Sequence, residues 1–357
     1  MWVPKIQWPF VMRYRTLGQT DIQVSELALG TMTFGAQTSG VEAHHLLDVA
    51  HDCGVNLLDT AEMYPVPPIA DSCGRSEEHL GTWLRQRGRR SDVILATKAT
   101  GPGAHLPHIR DGQSEYSAEH LTAALDGSLR RLQTDYIDLY QLHWPDRATN
   151  SFGQLGYKPA QRDEHPHIET TLRVLAKFVT EGKIRHLGLS NETPWGLMSF
   201  LAAAQRCGLP RVVSIQNPYN LLNRSFEIGL AEISDREQTG LLAYSPLAFG
   251  TLTGKYENAA KPDDARLSRY TRFVRYNKKQ GVAARAQYLE LSRHFKIDPV
   301  HMAISFILSR RYVTSAIIGA TSETQLRHNL DSFNFPLSKE LLKAIDNIHT
   351  KMPNPCP

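Results

Sequence analysis

Asp59, Tyr64, Lys98 and His143 each stand at or just past the end of a short apolar run. Asn56-Leu57-Leu58-Asp59 leads through Thr60-Ala61-Glu62-Met63 to Tyr64, Val93-Ile94-Leu95-Ala96-Thr97 ends on Lys98, and Tyr136-Ile137-Asp138-Leu139-Tyr140-Gln141-Leu142 ends on His143. A phenol with a pKa of roughly 10 can give up a proton, and an adjacent ammonium favours the resulting phenolate. Lys98 would be that ammonium, lowering the Tyr64 pKa, with Asp59 holding it in a salt bridge. His143, if neutral, offers one donor and one acceptor to an oxygen. These groups suit a carbonyl that accepts a hydride and develops charge on oxygen. Singly, each has an ordinary explanation: loop aromatic, strand-end charge, satisfied histidine, helix cap. The set in this order points to shared chemistry.

Such side chains meet only if their strands run the same way. Short apolar runs near residues 26–30, 55–58, 93–97, 136–141, 184–189, 212–216, 241–244 and 315–318 alternate with amphipathic segments near 41–53, 76–86, 117–132, 168–181, 195–206, 226–238, 281–295, 300–309 and 323–331. This rhythm predicts a parallel sheet. Eight runs suit a (β/α)8 TIM barrel, whose strand ends converge on one mouth. An N-terminal β-hairpin is expected around Leu17-Gly18 and Asp21 to Val24. Long polar segments at 64–75, 99–116 and 144–167 belong at the C-terminal mouth, where they would shape access. A doubly wound open sheet is disfavoured because Leu29-Gly30-Thr31-Met32-Thr33-Phe34-Gly35 does not match GxGxxG.

The chain has 357 residues, of which 41% are hydrophobic and 21% charged, ample for one large core. No linker or low-complexity tract divides it, so residues 12–357 read as a single domain and residues 1–11 as an N-terminal tail. Forty basic against 36 acidic residues leave a net charge of +4, too small an excess to suggest nucleic acid. The run Arg85-Gln86-Arg87-Gly88-Arg89-Arg90 reads as a solvated helix end, and Lys255, Lys261, Arg266, Arg269, Arg272 and Arg275 crowd a loop. The four cysteines are dispersed, without metal-ligand spacing, as in a reduced, cytoplasmic protein. Two prolines interrupt the apolar residues of the first eleven, which argues against a signal peptide or membrane anchor.

From about Tyr14 to about Ile348 the chain resembles the aldo-keto reductase superfamily, whose pattern is Asp-x4-Tyr, then Lys, then His at successive strand ends. It is especially similar to the bacterial Tas-type reductases and the potassium-channel β subunits. Leu29 to Gly35, Asp135 to His143 and Gly182 to Asn191 look like family strand signatures. The resemblance implies an NADPH (NADP+) cofactor bound extended across the barrel. Ser190, Asn191 and Gln216 would then hydrogen-bond the nicotinamide carboxamide, and Tyr244 would stack on its ring. The segment Tyr244 to Lys255, including Ser245, Pro246, Leu247 and Gly250, resembles the pyrophosphate loop. Arg266, with Arg269 as its nearest rival, would meet the adenosine 2′-phosphate, since a guanidinium binds two oxygens. Thr31, Lys255, Gly319, Thr321, Gln325 and Asn329 complete the implied cofactor set, and Met32 and Trp144 are candidate substrate walls. His328 departs from an acidic residue often found there in the β-subunit branch, and no role is carried to it.

The expected function is NADPH-dependent reduction of aldehydes or ketones to alcohols, with Tyr64 as proton donor and a small-molecule carbonyl compound as substrate. The alternative is a slow or non-catalytic NADPH-binding sensor or partner protein of the channel β-subunit type; His143, where that branch often carries asparagine, argues for turnover. A metal-dependent hydrolase would need histidines clustered at strand ends, and His44-His45 and His165-Pro166-His167 do not supply them. No metal, nucleic acid or membrane partner is expected, and the oligomeric state is left open.

Overall fold

The computed structural model describes residues 11–103, 105–150, 152–154, 156–159 and 167–357. Strands β1 (Tyr14–Thr16) and β2 (Gln23–Ser25) pair antiparallel as the expected hairpin. Eight strands follow: β3 (Leu27–Gly30), β4 (Leu57–Asp59), β5 (Ile94–Ala99), β6 (Ile137–Leu142), β7 (Ile184–Ser190), β8 (Val212–Pro218), β9 (Gly240–Tyr244) and β10 (Val313–Ile318). Each pairs parallel with the next, and β10 pairs with both β9 and β3, so the sheet closes into a barrel.

Helices α1 (Gly40–Asp52), α2 (Arg75–Arg87), α3 (Ala118–Leu132), α4 (Ile168–Thr180), α5 (Pro194–Cys207), α6 (Leu230–Glu237), α7 (Arg266–Arg269), α8 (Lys279–His294), α9 (Pro299–Leu308), α10 (Glu323–Leu330) and α11 (Lys339–Lys351) accompany it. Their starts follow local chemistry: Ser39, Ser117, Thr193, Asp298, Ser322 and Ser338 each accept a backbone N–H of the first turn. Apolar faces of these helices, with Leu46, Leu80, Trp83, Leu121, Leu125 and Leu172 almost fully buried, cover the outside of the barrel in one continuous core. Truncating any one such leucine to alanine would cost about 2–5 kcal/mol.

Inside the barrel a second cluster stacks Ala28, Leu57, Ala96, Leu139, Val213, Leu242 and Ile317 above Leu17 and Val24 of the hairpin, which plugs the N-terminal end. Strand side chains alternate faces. Asp59, Lys98, Gln141 and Tyr244, each two residues beyond one of these apolar residues, therefore form the next layer toward the mouth.

Three expectations change. The helix expected over 226–238 is split: Ser225–Glu227 is a 3-10 turn, and α6 starts after Gly229, whose φ of 94° no other residue adopts readily. Helix α11 was not anticipated, although Ser338 followed by Leu341, Leu342, Ile345 and Ile348 carries its cap and its spacing. The basic run Arg85 to Arg90 at the end of α2 is only partly solvated, since Arg90 ion-pairs with buried Asp138 at 2.8 Å and lies over the Tyr136 ring. The expected tail falls outside the described residues except for exposed Val11, while Met12 is already buried.

Of the three expected mouth loops, 64–75 and 99–116 contain 3-10 turns at Ala70–Ser72 and Arg110–Gly112, and part of 144–167 lies outside the described residues. A fourth and longer excursion, residues 245–278, separates β9 from α8 and carries α7. Among the described residues no helix is long and apolar enough to cross a membrane.

Candidate active site

At the mouth the inward-facing layer becomes a buried polar network. Lys98 Nζ donates to Asp59 Oδ2 at 2.8 Å and to the Thr60 carbonyl at 2.7 Å. Lys98 is 0% and Asp59 3% exposed. Gln216 Nε2 donates to Asp59 Oδ1 at 2.8 Å, and Gln141 Nε2 approaches the same atom at 3.4 Å. A buried charge pair is tolerable only when its remaining hydrogen-bonding positions are filled in this way. Burial lowers the Lys98 pKa, and the Asp59 charge is the largest influence holding it up. Gln141 was overlooked in the sequence, although its place two residues after Leu139 puts it inside the barrel.

Tyr64 and His143 stand over this pair. After β4 the chain stays tied to β5 through Thr60 N–H to Ala96 O and Glu62 N–H to Lys98 O, then turns through Tyr64 N–H to Ala61 O. This sets the Tyr64 ring centre 5.0 Å from Lys98 Nζ and 5.7 Å from the His143 ring, edge to face. The expected lowering of the Tyr64 pKa is reversed. Desolvation and the Asp59 charge raise it well above the ordinary value, with Arg266 opposing, because the Lys98 ammonium is directed at Asp59 and Thr60. Tyr64 is accordingly a protonated phenol at neutral pH. Burial, then the Lys98 charge, push the His143 pKa well down, so its ring is neutral. Its buried Nδ1 has no hydrogen-bond partner among the described residues.

Beside this cluster, Asn191 takes a left-handed conformation, φ 54°. Its Nδ2 donates to the His143 carbonyl at 2.9 Å, while its Oδ1 accepts from Tyr244 OH at 2.7 Å. Ser190 Oγ donates to the Gln216 carbonyl at 2.9 Å, across paired strands β7 and β8. Ser190, Asn191, Gln216 and Tyr244 thus come together, although Gln216 has its amide nitrogen on Asp59. Thr31 bonds to none of these four side chains. It is 0% exposed, with its hydroxyl between the Asp59 carbonyl at 3.0 Å and Ser76 Oγ at 2.7 Å. Arg275, one of the basic residues crowding this loop, comes within electrostatic reach of the Tyr244 and Tyr276 phenols. Only the return of residues 245–278 over the mouth brings it there.

The loop after Tyr244 bends sharply, with positive φ at Ser245, Ala248, Phe249 and Gly250, while Pro246 is buried and Leu247 half-buried. A Cβ on Gly250 would lie 2.9 Å from Lys255 Nζ, so the glycine admits the ammonium against the backbone. Arg266 lies with its guanidinium carbon 5.5 Å from the Phe249 ring centre and 5.4 Å from that of Phe273. Neither Lys255 nor Arg266 has a carboxylate partner among the described residues. Desolvation lowers both pKa values, and for Lys255 the nearby Arg266 charge adds to it. Two cations held near each other without an anion fit a phosphate-bearing ligand. Arg269, by contrast, is exposed and paired with Asp264 at 3.3 Å.

At β10 and the start of α10, Thr321 N–H and Oγ1 share Gln325 Oε1, and Asn329 Nδ2 donates to the Gly319 carbonyl at 3.3 Å. Half-buried Met32 fixes the loop after Tyr64 by accepting from Val66 N–H at 3.0 Å. The Trp144 ring lies 4.9 Å from that of His143, and its Nε1 donates to the Pro102 carbonyl at 2.9 Å. Deeper anchoring comes from Glu62, paired with Arg110 and accepting Thr100 N–H, and from Glu192, paired with Arg147.

Over residues 26–350 the chain matches the aldo/keto reductase family, and it belongs to that family. Within it the chain is 46% identical over 347 residues to Protein tas of Escherichia coli, covering 97% of this chain and all of that protein. It is 37% identical to an aldo-keto reductase of Babesia bovis, over 74% of this chain and 98% of the relative. A probable voltage-gated potassium channel subunit beta of Arabidopsis thaliana is 31% identical, over 89% of this chain and 90% of its own length.

Proposed function

We propose that the protein is an NADPH-dependent reductase of aldehydes or ketones, with Tyr64 as the proton donor. The observation that carries this reading is the Lys98 and Asp59 pair, fully enclosed beneath the rings of Tyr64 and His143. When bound, NADPH supplies the hydride. Lys255 and Arg266 would hold its phosphates, Ser190 and Asn191 its carboxamide and Tyr244 its nicotinamide face, leaving Thr321, Gln325 and Asn329 for the adenosine end.

The remaining chemistry belongs to the chain. Neutral His143 orients the carbonyl oxygen toward the phenol. Tyr64, protonated at neutral pH, gives its proton to that oxygen as negative charge grows there. The Lys98 ammonium stabilises the phenolate left behind, and Asp59 keeps Lys98 charged in a site that would otherwise favour its neutral form. Met32 and Trp144 bound the space in front of Tyr64 and limit water there.

The test compares NADPH oxidation with a reactive aromatic aldehyde in the parent and in Tyr64→Phe. We expect turnover to fall by at least roughly 100-fold, the scale of a general acid, with NADPH binding unchanged. A Tyr64→Phe protein that reduces the aldehyde at the parental rate would remove the phenol from the mechanism. Absence of turnover in both proteins despite tight NADPH binding would favour a sensor role.

A further inference from the structure

Outside the barrel mouth, α9 and α10 bring together one carboxylate and two imidazoles. Asp298 is the N-cap of α9, His301 lies one turn into it, and His328 projects from α10. One ligand atom from each lies within 4.8 Å of the other two, and His328 Nε2 is 3.1 Å from Asp298 Oδ1. Ligands at tetrahedral angles and bond lengths of roughly 2.0–2.1 Å are about 3.3 Å apart, close to the separation that His328 Nε2 and Asp298 Oδ1 already have.

His301 separates this cluster from an ordinary ion pair. It is 7% exposed, and its Nδ1 is buried without a hydrogen-bond partner among the described residues. Its other nitrogen, Nε2, lies 3.1 Å from the carbonyl of His328. A carbonyl can only accept, so Nε2 carries the proton and Nδ1 is the ring nitrogen with a lone pair to offer a metal. Metal-bound histidines are commonly oriented in this way, with the far N–H on a backbone carbonyl. The Phe335 ring stacks on the imidazole at 4.1 Å and 14°, fixing its plane. Asp298 has two oxygens. Oδ1 caps α9 through Val300 N–H at 2.8 Å, which leaves its partner oxygen free to ligate.

We propose that Asp298, His301 and His328 form a divalent-metal site, suited by its ligands to zinc, that ties α9 to α10 on the outer wall of the barrel. Two imidazoles and one carboxylate are borderline ligands that favour zinc over calcium or magnesium. Water would complete the coordination on the side where His328 meets solvent. The sequence shows no compact motif, because Asp298 and His301 are one helical turn apart while His328 comes from the helix beyond β10. The assignment is independent of the reductase reading.

The test uses the full chain, stripped with a chelator and titrated with zinc chloride by calorimetry, with cobalt(II) substitution to give a visible d–d band. We expect one zinc ion per chain. Asp298→Asn, which keeps a capping side chain, and His328→Ala, at an exposed position, should each weaken binding by roughly 100-fold or more and remove the band. His45→Ala, an exposed histidine on α1, should change neither. Absence of stoichiometric zinc binding by the parent, or equal binding by all four proteins, would reduce the cluster to a helix cap and an ion pair.

Discussion

Asp59→Asn isolates a buried ammonium with almost no change in shape. In the parent, Asp59 accepts Lys98 Nζ at 2.8 Å on one oxygen and Gln216 Nε2 at 2.8 Å on the other. An asparagine turned to accept from Lys98 places its own NH2 against the Gln216 donor, so one contact becomes repulsive. At 2.8 Å and an effective dielectric constant of about 20, the lost attraction is about 6 kcal/mol. Lys98 can relieve part of this by shedding its proton, since burial already favours the neutral amine. Breaking a buried pair from one side typically costs about 3–5 kcal/mol, and we expect that range. Unfolding entropy of roughly 2.1 cal/mol/K per residue over 357 residues converts this to a fall in Tm of about 4–7 °C. The companion is the double variant with Lys98→Met, which removes both charges and refills the space. Thermal unfolding should show it more stable than Asp59→Asn alone, although we expect turnover from neither. An Asp59→Asn protein as stable as the parent, or a double variant no more stable than the single, would refute the claim that these charges depend on each other.

Arg266→Ala should weaken NADPH binding by roughly 10- to 150-fold, the value of one charge-assisted hydrogen bond, while NADH binding changes little. Equal losses in a fluorescence titration with each dinucleotide would reject contact with the 2′-phosphate. The acid side of the stability profile is a separate matter. His51, His79, His143, His186, His301 and His349 all have pKa values held below that of an unfolded histidine, chiefly by burial. As pH falls below about 6.5 the unfolded chain takes up protons that the folded chain refuses. Stability should be level above that point and fall below it, each group adding a slope of at most about 1.4 kcal/mol per pH unit. Urea unfolding between pH 5 and pH 8 measures this, and a profile flat through pH 6 would contradict the burial of these imidazoles.

Strand order and the rough position of all eight barrel strands were legible in the sequence, because each buried strand is a short apolar run between polar breaks. Helix α11 was equally legible from Ser338 and its leucines and was passed over, whereas the break at Gly229 was hidden because helical spacing continues through it. Asp59, Tyr64, Lys98 and His143 could be found because each closes a strand, and closure of a parallel sheet brings such positions together wherever they fall in the chain. Their electrostatics could not. The Tyr64 pKa is raised, against expectation, because pairing and burial are properties of distance: Lys98 spends its charge on Asp59 and Thr60, and desolvation of the phenol dominates. The same holds for Gln141 and Gln216 on Asp59, for the burial of Thr31, and for the pairing of Arg269 with Asp264 beside an Arg266 without a carboxylate partner among the described residues. Periodicity and strand-end chemistry are local, so the amino-acid order alone determined the barrel and the residues at its mouth. Which charges are paired, which donors are used and which imidazole is left with a bare nitrogen depend on contacts between distant segments, and only the tertiary structure decided them.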